Sequence, residues 1–246
     1  MGGEDYAGAN RVRQGEEGVP GGYRFGGEHV ETDPGQAAAA QRLGHRRLAI
    51  LDPSSAAHQP MFSADKRYVI VYNGELYNFR SLRAELEAIG ATFKSGCDTE
   101  VVIEAFAAWG ADCLQKFVGM FAFVIADLRE RTAFVARDQL GIKPLYYCEG
   151  SHGLLIASEI KAFRNFVDFE LNEAVLQEQF LFRYVGGRDT IFRNIKRLGA
   201  GAYGLVSTSG SLQEFGYYDV TRSLSERRNR TPDPHKTEDL LQEHIG

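Results

Sequence analysis

The chain has 246 residues, 43% of them hydrophobic and 11% aromatic, enough for one sizeable core with or without an appendage. Its formal net charge of -5 gives no electrostatic reason to expect nucleic acid as a partner. Cys97, Cys113 and Cys148 form no Cys-x-x-Cys pair, which excludes a zinc knuckle or a disulfide framework and favours a reduced, cytoplasmic protein. No apolar run approaches membrane-spanning length, and the first residues lack the apolar core of a signal peptide.

Residues 1–41 are glycine-dense, with scattered Glu and Arg and no apolar periodicity, so no structure is assigned to them. From Leu43 the texture changes. Leu48 to Leu51 reads as a short strand. Tyr68 to Tyr72 is a β-branched and aromatic strand, ending at an Asn73-Gly74 turn signal. Asn78 is a candidate N-cap for a helix over 79–89, with Leu82, Leu86 and Ile89 on one face and Gly90 as terminator. Thr99 caps a second expected helix, Glu100 to Trp109, stopped by Gly110, and Asp112 starts a short third. Met120 to Leu128 is almost wholly apolar, as befits a strand covered on both faces. A polar turn at 129–131 leads to a strand over Thr132 to Arg137. Leu145 to Tyr147 and Leu154 to Ala157 flank a hairpin turn. A helix is expected over Glu173 to Phe182, capped by Asn172, then a last hairpin over 201–218. The tail from Ser223 to His235 reads as a linker, and Thr237 to Ile245 as the start of a further helix. Strand hairpins on both sides of two central helices predict an α+β domain with mainly antiparallel sheets.

Several polar residues sit where chemistry is conceivable. Asn73-Gly74 is a common hairpin turn pair. It could equally present an Asn amide and a Gly backbone N–H to a developing oxyanion, where one donor is worth about 2.7–4 kcal/mol. Arg47 suits a bidentate pair with an α-carboxylate, or is a surface arginine beside Arg46. Glu75 and Asp98 could each receive an α-ammonium group. Alternatively they are a turn carboxylate and a helix N-terminal charge. One cation, one oxyanion hole and two carboxylates together are what a free α-amino acid with a reacting side-chain amide requires.

The runs LGHRRLAILD, QPM, VYNGELYNFRSLRAELEAIG, DTEVVIEAFAAWGADCL, GMFAFVIAD, ARDQLGIKPLYY and ASEIKAF follow one another between Leu43 and Tyr218. In them the chain resembles the glutaminase domain of asparagine synthetase, a class II glutamine amidotransferase. The YNF, GMFAF and GIKPLYY runs resemble it more than the amidotransferases of purine or glucosamine-phosphate synthesis. The resemblance implies an N-terminal-nucleophile hydrolase fold, a four-layer αββα sandwich, over 42–220, with 221–246 leading into a synthetase domain. It implies L-glutamine as ligand, with Arg47 on its carboxylate, Asn73 and Gly74 as oxyanion hole, and Glu75 and Asp98 on its amino group. It also sets Arg137, Asp138 and the 141–144 turn near the path by which ammonia leaves, although an ion pair and a sheet-shaping turn explain these equally well. The implied partner is a synthetase domain in cis or in trans, and a homodimer stays open. No cofactor is expected in this chain; ATP and Mg belong to the synthetase domain.

The resemblance breaks before Leu43. The family exposes a Cys by removing an initiator Met. Its free α-amino group, with a pKa of about 7.7–8.0, can take the thiol proton before the thiolate attacks the amide. Here the chain starts Met1-Gly2-Gly3, and no Cys precedes Cys97. The family's ATP-using Ser-Gly-Gly-Leu-Asp-Ser run is also not found. The expectation is a glutaminase domain, supplying ammonia to an ATP-dependent amidation (by default aspartate to asparagine), that does not hydrolyse glutamine as written. The alternative is a non-catalytic glutamine-binding or interaction module of the same fold, as in the β-lactam synthetases. A general amide or peptide hydrolase ranks last.

Overall fold

The computed structural model describes residues 58–150 and 153–228. Strands β1 (Met61–Phe62) and β2 (Tyr68–Leu76) precede helices α1 (Phe79–Ala88) and α2 (Asp98–Trp109) and a 3-10 segment, Gly110–Gln115. Four strands follow: β3 (Gly119–Asp127), β4 (Thr132–Arg137), β5 (Tyr146–Gly150) and β6 (Gly153–Ala157). After a second 3-10 segment, Ile160–Phe163, come α3 (Glu173–Phe182), β7 (Lys196–Arg197), β8 (Ala202–Val206), β9 (Leu212–Gly216) and α4 (Val220–Arg228). The strands form two sheets, ordered β1-β2-β3-β4-β8-β9 and β6-β5-β7. Every pairing is antiparallel.

Alternation along the strands builds the layers. Ile70, Tyr72 and Leu76 of β2 and Phe121, Phe123 and Ile125 of β3 pack under Leu82 and Leu86 of α1 and Val101 to Ile103 of α2. The intervening residues Val69, Val71, Ala122 and Val124 meet Leu154 and Ile156 of the small sheet. On the far face of that sheet, Cys148, Leu155 and Ala157 pack with Phe163 and Ile195. β3 is therefore covered on both faces, which is why its sequence is apolar throughout rather than alternating.

Two close approaches set the spacing of β2 and β3. A Cβ at Gly74 would fall inside the Met120 carbonyl oxygen and 2.7 Å from Phe121 Cα. A Cβ at Gly119 would fall inside the Glu75 carbonyl oxygen and 3.0 Å from Leu76 Cα. Both contacts are with backbone, so no rotamer change relieves them.

One buried carboxylate organises the end of β4. Asp138, 1% exposed, accepts the backbone N–H of Phe121 (3.2 Å), Leu140 (3.1 Å), Ile142 (2.9 Å) and Lys143 (2.9 Å). Arg137 beside it donates to the carbonyls of Gly141, Lys143 and Leu198. Burial holds its guanidinium pKa below the usual arginine range. The pair does not bond to itself. Each member satisfies backbone of the 138–145 turn, so this segment is a structural corner.

Several expectations are corrected. Asn73-Gly74 is no turn: β2 runs on through Leu76, because the pairing with β3 continues to Gly119. Ile89 is 63% exposed and caps α1 at its C-terminus instead of extending its buried face. Asn78 occupies the N-cap position, but its amide bridges to Lys116 O (2.9 Å) and Val118 N (3.0 Å). α2 starts one residue before Thr99, at Asp98, with Cys97 as N-cap. The short third helix is the 3-10 segment. Ser223 to Arg228 continue α4 and are not linker. The expected strand at Leu48 to Leu51 and the segment 1–41 lie outside the described residues.

Gly119→Ala is expected to destabilise the domain by roughly 1–3 kcal/mol through overpacking. At Gly216 in β9 an added Cβ meets nothing within 4 Å, so Gly216→Ala leaves the melting temperature unchanged. Equal melting temperatures for the two variants would contradict the close approach. Asp138→Ala strands four backbone donors and should cost at least about 3 kcal/mol in a denaturant titration.

Candidate functional site

The candidate residues gather on the outer edge of β2. β1 pairs only with Val69 and Ile70. Beyond them, no strand among the described residues covers this edge. In an antiparallel ladder the backbone groups of successive residues point alternately to the two neighbouring strands. Phe121 faces Gly74 across β2 and β3. Its N–H and C=O are both turned to β4, engaged by the Asp138 carboxylate and by the Asp138 N–H (2.8 Å). Gly74 and Phe121 are therefore a non-hydrogen-bonded pair, and the Gly74 N–H points away from β3, out of the sheet.

Its neighbours on the same edge confirm the parity. The Tyr72 N–H donates to Gln59 Oε1 at 2.6 Å. The Leu76 N–H donates to Asp98 Oδ2 at 3.0 Å. Between these two, Gly74 has no hydrogen-bond acceptor among the described residues. It is half-buried, as is Asn73. The Asn73 side chain leaves β2 on the inter-sheet face, following Val69 and Val71, and has no hydrogen-bond partner among the described residues.

Asp98 comes to this edge from α2. It is 5% exposed and opens the helix, where the macrodipole favours a negative charge. Its Oδ2 accepts the Tyr72 phenol at 3.0 Å as well as the Leu76 N–H. Its Oδ1 makes no hydrogen bond to a described residue. Burial, and then the charge of Asp98, push the Tyr72 phenol pKa well above the usual tyrosine range, so this hydroxyl remains a donor. Glu100, in the same first turn, accepts the N–H of Lys94 (2.8 Å) and Ser95 (2.7 Å) and the Ser95 hydroxyl (2.6 Å). That grip folds the preceding loop over the helix start and fixes where Asp98 begins. Glu75 is exposed and leaves β2 on the same face as Asn73. The two carboxylates thus bracket the strand edge, one from each side.

Asn73, Gly74, Glu75 and Asp98 are brought together. Arg47 lies outside the described residues, with His45 and Arg46. A pocket of about 320 Å³ near the other end of β2, lined by Tyr68, Phe106, Phe134, Leu205 and Gln213, contains none of the candidates. Sequence reasoning missed Tyr72 and Gln59. Both fall in family-like runs, but nothing local marks them. Tyr72 reads as one more aromatic in a strand, and its partner is 26 residues away.

The three cysteines are buried and unpaired. Cys97 Sγ lies 3.0 Å from the Ser95 hydroxyl. Burial raises the thiol pKa of Cys113 and of Cys148, which disfavours the thiolate that a nucleophile requires. No helix among the described residues is long and apolar enough to cross a membrane.

The family model for the glutamine amidotransferase domain matches residues 34–218. The chain is similar to the putative asparagine synthetase (glutamine-hydrolyzing) of Mycobacterium tuberculosis, 38% identical over 174 residues, 67% of this chain and 26% of that protein. It is also similar to asparagine synthetase (glutamine-hydrolyzing) 1 of Bacillus subtilis, 35% identical over 179 residues, 72% of this chain and 28% of that protein. It spans about a quarter of the length of these curated relatives. Among solved structures, glutamine phosphoribosylpyrophosphate amidotransferase from B. subtilis matches with a TM-score of 0.51 at 22% identity, over 70% of this chain and 34% of that one. That match shows the fold, the two-sheet α+β sandwich of the N-terminal-nucleophile amidotransferases. The chain belongs to the class II glutamine amidotransferase domain family.

Proposed function

We propose that this domain holds free L-glutamine, as the glutaminase part of an asparagine synthetase-like amidotransferase. The observation that carries the reading is the Gly74 N–H, which points out of the sheet at the β2 edge with no acceptor among the described residues, beside the Asp98 carboxylate. On this reading the Asn73 amide and the Gly74 N–H receive the side-chain carbonyl oxygen of glutamine. They stabilise the oxyanion that forms when a thiolate adds to that carbon. Asp98 Oδ1 and Glu75 take the α-ammonium group. Arg47 takes the α-carboxylate, the one group the described edge does not provide for. The Gly74 N–H belongs to a paired strand and does not have to be ordered when substrate arrives, which favours catalysis by preorganisation.

In the 246-residue polypeptide the thiolate has no evident source. Cys97, Cys113 and Cys148 are buried, and burial raises the thiol pKa of Cys113 and Cys148, which disfavours a thiolate there. Buried cysteines favour glutamine binding without turnover by these three thiols, which also favours the binding-module reading of the same geometry. The names of the relatives support a synthetase portion as partner, in cis or in trans, which would bind ATP and Mg and use the ammonia, with aspartate as the default acceptor. Three unpaired cysteines support a reduced, cytoplasmic setting.

Isothermal titration should detect L-glutamine binding at millimolar concentration or tighter. Asp98→Asn should weaken it by about tenfold or more, as expected for a lost hydrogen bond to a charged group. An absence of binding, or a variant that binds as well as the parent, removes the assignment. Ammonia release should not exceed a heat-killed control; clear release would show that a nucleophile is present after all.

A further inference from the structure

Four side chains from three separate parts of the sequence close a buried ring beside the candidate site. The Tyr72 N–H donates to Gln59 Oε1 (2.6 Å), and Gln59 Nε2 donates to Thr99 Oγ1 (3.3 Å). Thr99 follows Asp98 in α2, and Asp98 Oδ2 accepts the Tyr72 hydroxyl (3.0 Å). Tyr72 is 3% exposed, Gln59 8%, Asp98 5% and Thr99 2%. The ring ties the first turn of α2 to the edge of β2 through both the backbone and the side chain of one residue, Tyr72.

The hydroxyl is the unexpected part. Tyr72 lies in a core of Leu76, Phe121 and Phe123, where Phe would pack as well and carry no polar atom to desolvate. A buried phenol here is justified by its acceptor. Oδ2 of Asp98 receives two donors, the phenol and the Leu76 N–H. These fix the plane of the carboxylate and occupy one oxygen, leaving Oδ1 as the oxygen available to a ligand.

We infer that Tyr72 is a positioning residue for amino-group recognition: its hydroxyl, with Gln59 holding its backbone, orients Asp98 so that Oδ1 meets the α-ammonium group of an amino-acid ligand. The inference rests on the proposed glutamine site and assigns its selectivity for an α-amino acid over the corresponding simple acid amide. Tyr72 does not touch the ligand; it acts through Asp98.

The test compares two probes by titration calorimetry on the full 246-residue chain: L-glutamine, and glutaramate, which is glutamine without its α-amino group. In the parent protein glutamine should bind more tightly. Tyr72→Phe should weaken glutamine by about tenfold and leave glutaramate unchanged, so that the ratio of the two dissociation constants falls. A role confined to packing or stability would move both probes together. The double variant Tyr72→Phe/Asp98→Asn should bind glutamine no worse than Asp98→Asn alone, because one residue acts through the other. If the parent discriminates but Tyr72→Phe keeps the ratio, or if the two substitutions weaken binding multiplicatively, the positioning role is overturned while the glutamine site stands. If the parent binds neither probe, or both equally, the site assignment falls and this inference with it.

Discussion

The pairing of β2 with β3 is the constraint on which the remaining geometry depends. Nine consecutive residues of β2 face nine of β3 without a bulge. One slip of register would turn every side chain to the opposite face and every backbone N–H to the opposite neighbour. The apolar faces resist such a slip from both sides, since Ile70 and Leu76 lie under the helices while Val69 and Val71 meet the small sheet. The reciprocal glycines Gly74 and Gly119 let the strands approach where a side chain would collide with backbone.

Parity then couples distant parts of the fold to one amide. Asp138 holds the Phe121 N–H from beyond the end of β4. With Phe121 committed to β4, Gly74 is left facing outward. A buried carboxylate that satisfies four backbone donors is a structural device, yet through the ladder it sets the edge of β2 to which the Gly74 N–H points. The same corner takes up Arg137, whose three carbonyl partners account for a buried guanidinium without a carboxylate.

The helix side contributes a second layer of order. Buried polar groups are tolerated only when their hydrogen bonds are made, and the start of α2 meets that condition with few residues. Glu100 holds the preceding loop, Thr99 accepts from Gln59, and Asp98 bonds with Tyr72 and Leu76. Such a network is sensitive to the loss of any one member, which makes it suited to holding a carboxylate in a fixed plane. On the proposed reading, a strand-held N–H on one side and an oriented carboxylate on the other are in position before a ligand arrives.

Periodicity and turn chemistry were sufficient for much of the architecture. β4 over Thr132–Arg137 and α3 over Glu173–Phe182 were legible at their observed bounds, because apolar content, flanking turns and cap-type residues agree there. The continuous apolar run of β3 announced a strand covered on both faces. Asn73-Gly74 misled as a turn because the local preference of that pair was outweighed by nine residues of cross-strand pairing. Ile89 misled because Gly90 ends the helix at a positive φ before the apolar face is completed. By itself the sequence determined the element types, through periodicity and turn chemistry, and the family, through the resemblance of its motif runs. Only the tertiary structure decided which backbone N–H is left free and which oxygen of Asp98 is occupied. Hydrogen-bond parity across a sheet, and contacts such as Tyr72 with Asp98, depend on strands and helices that the chain brings together from far apart.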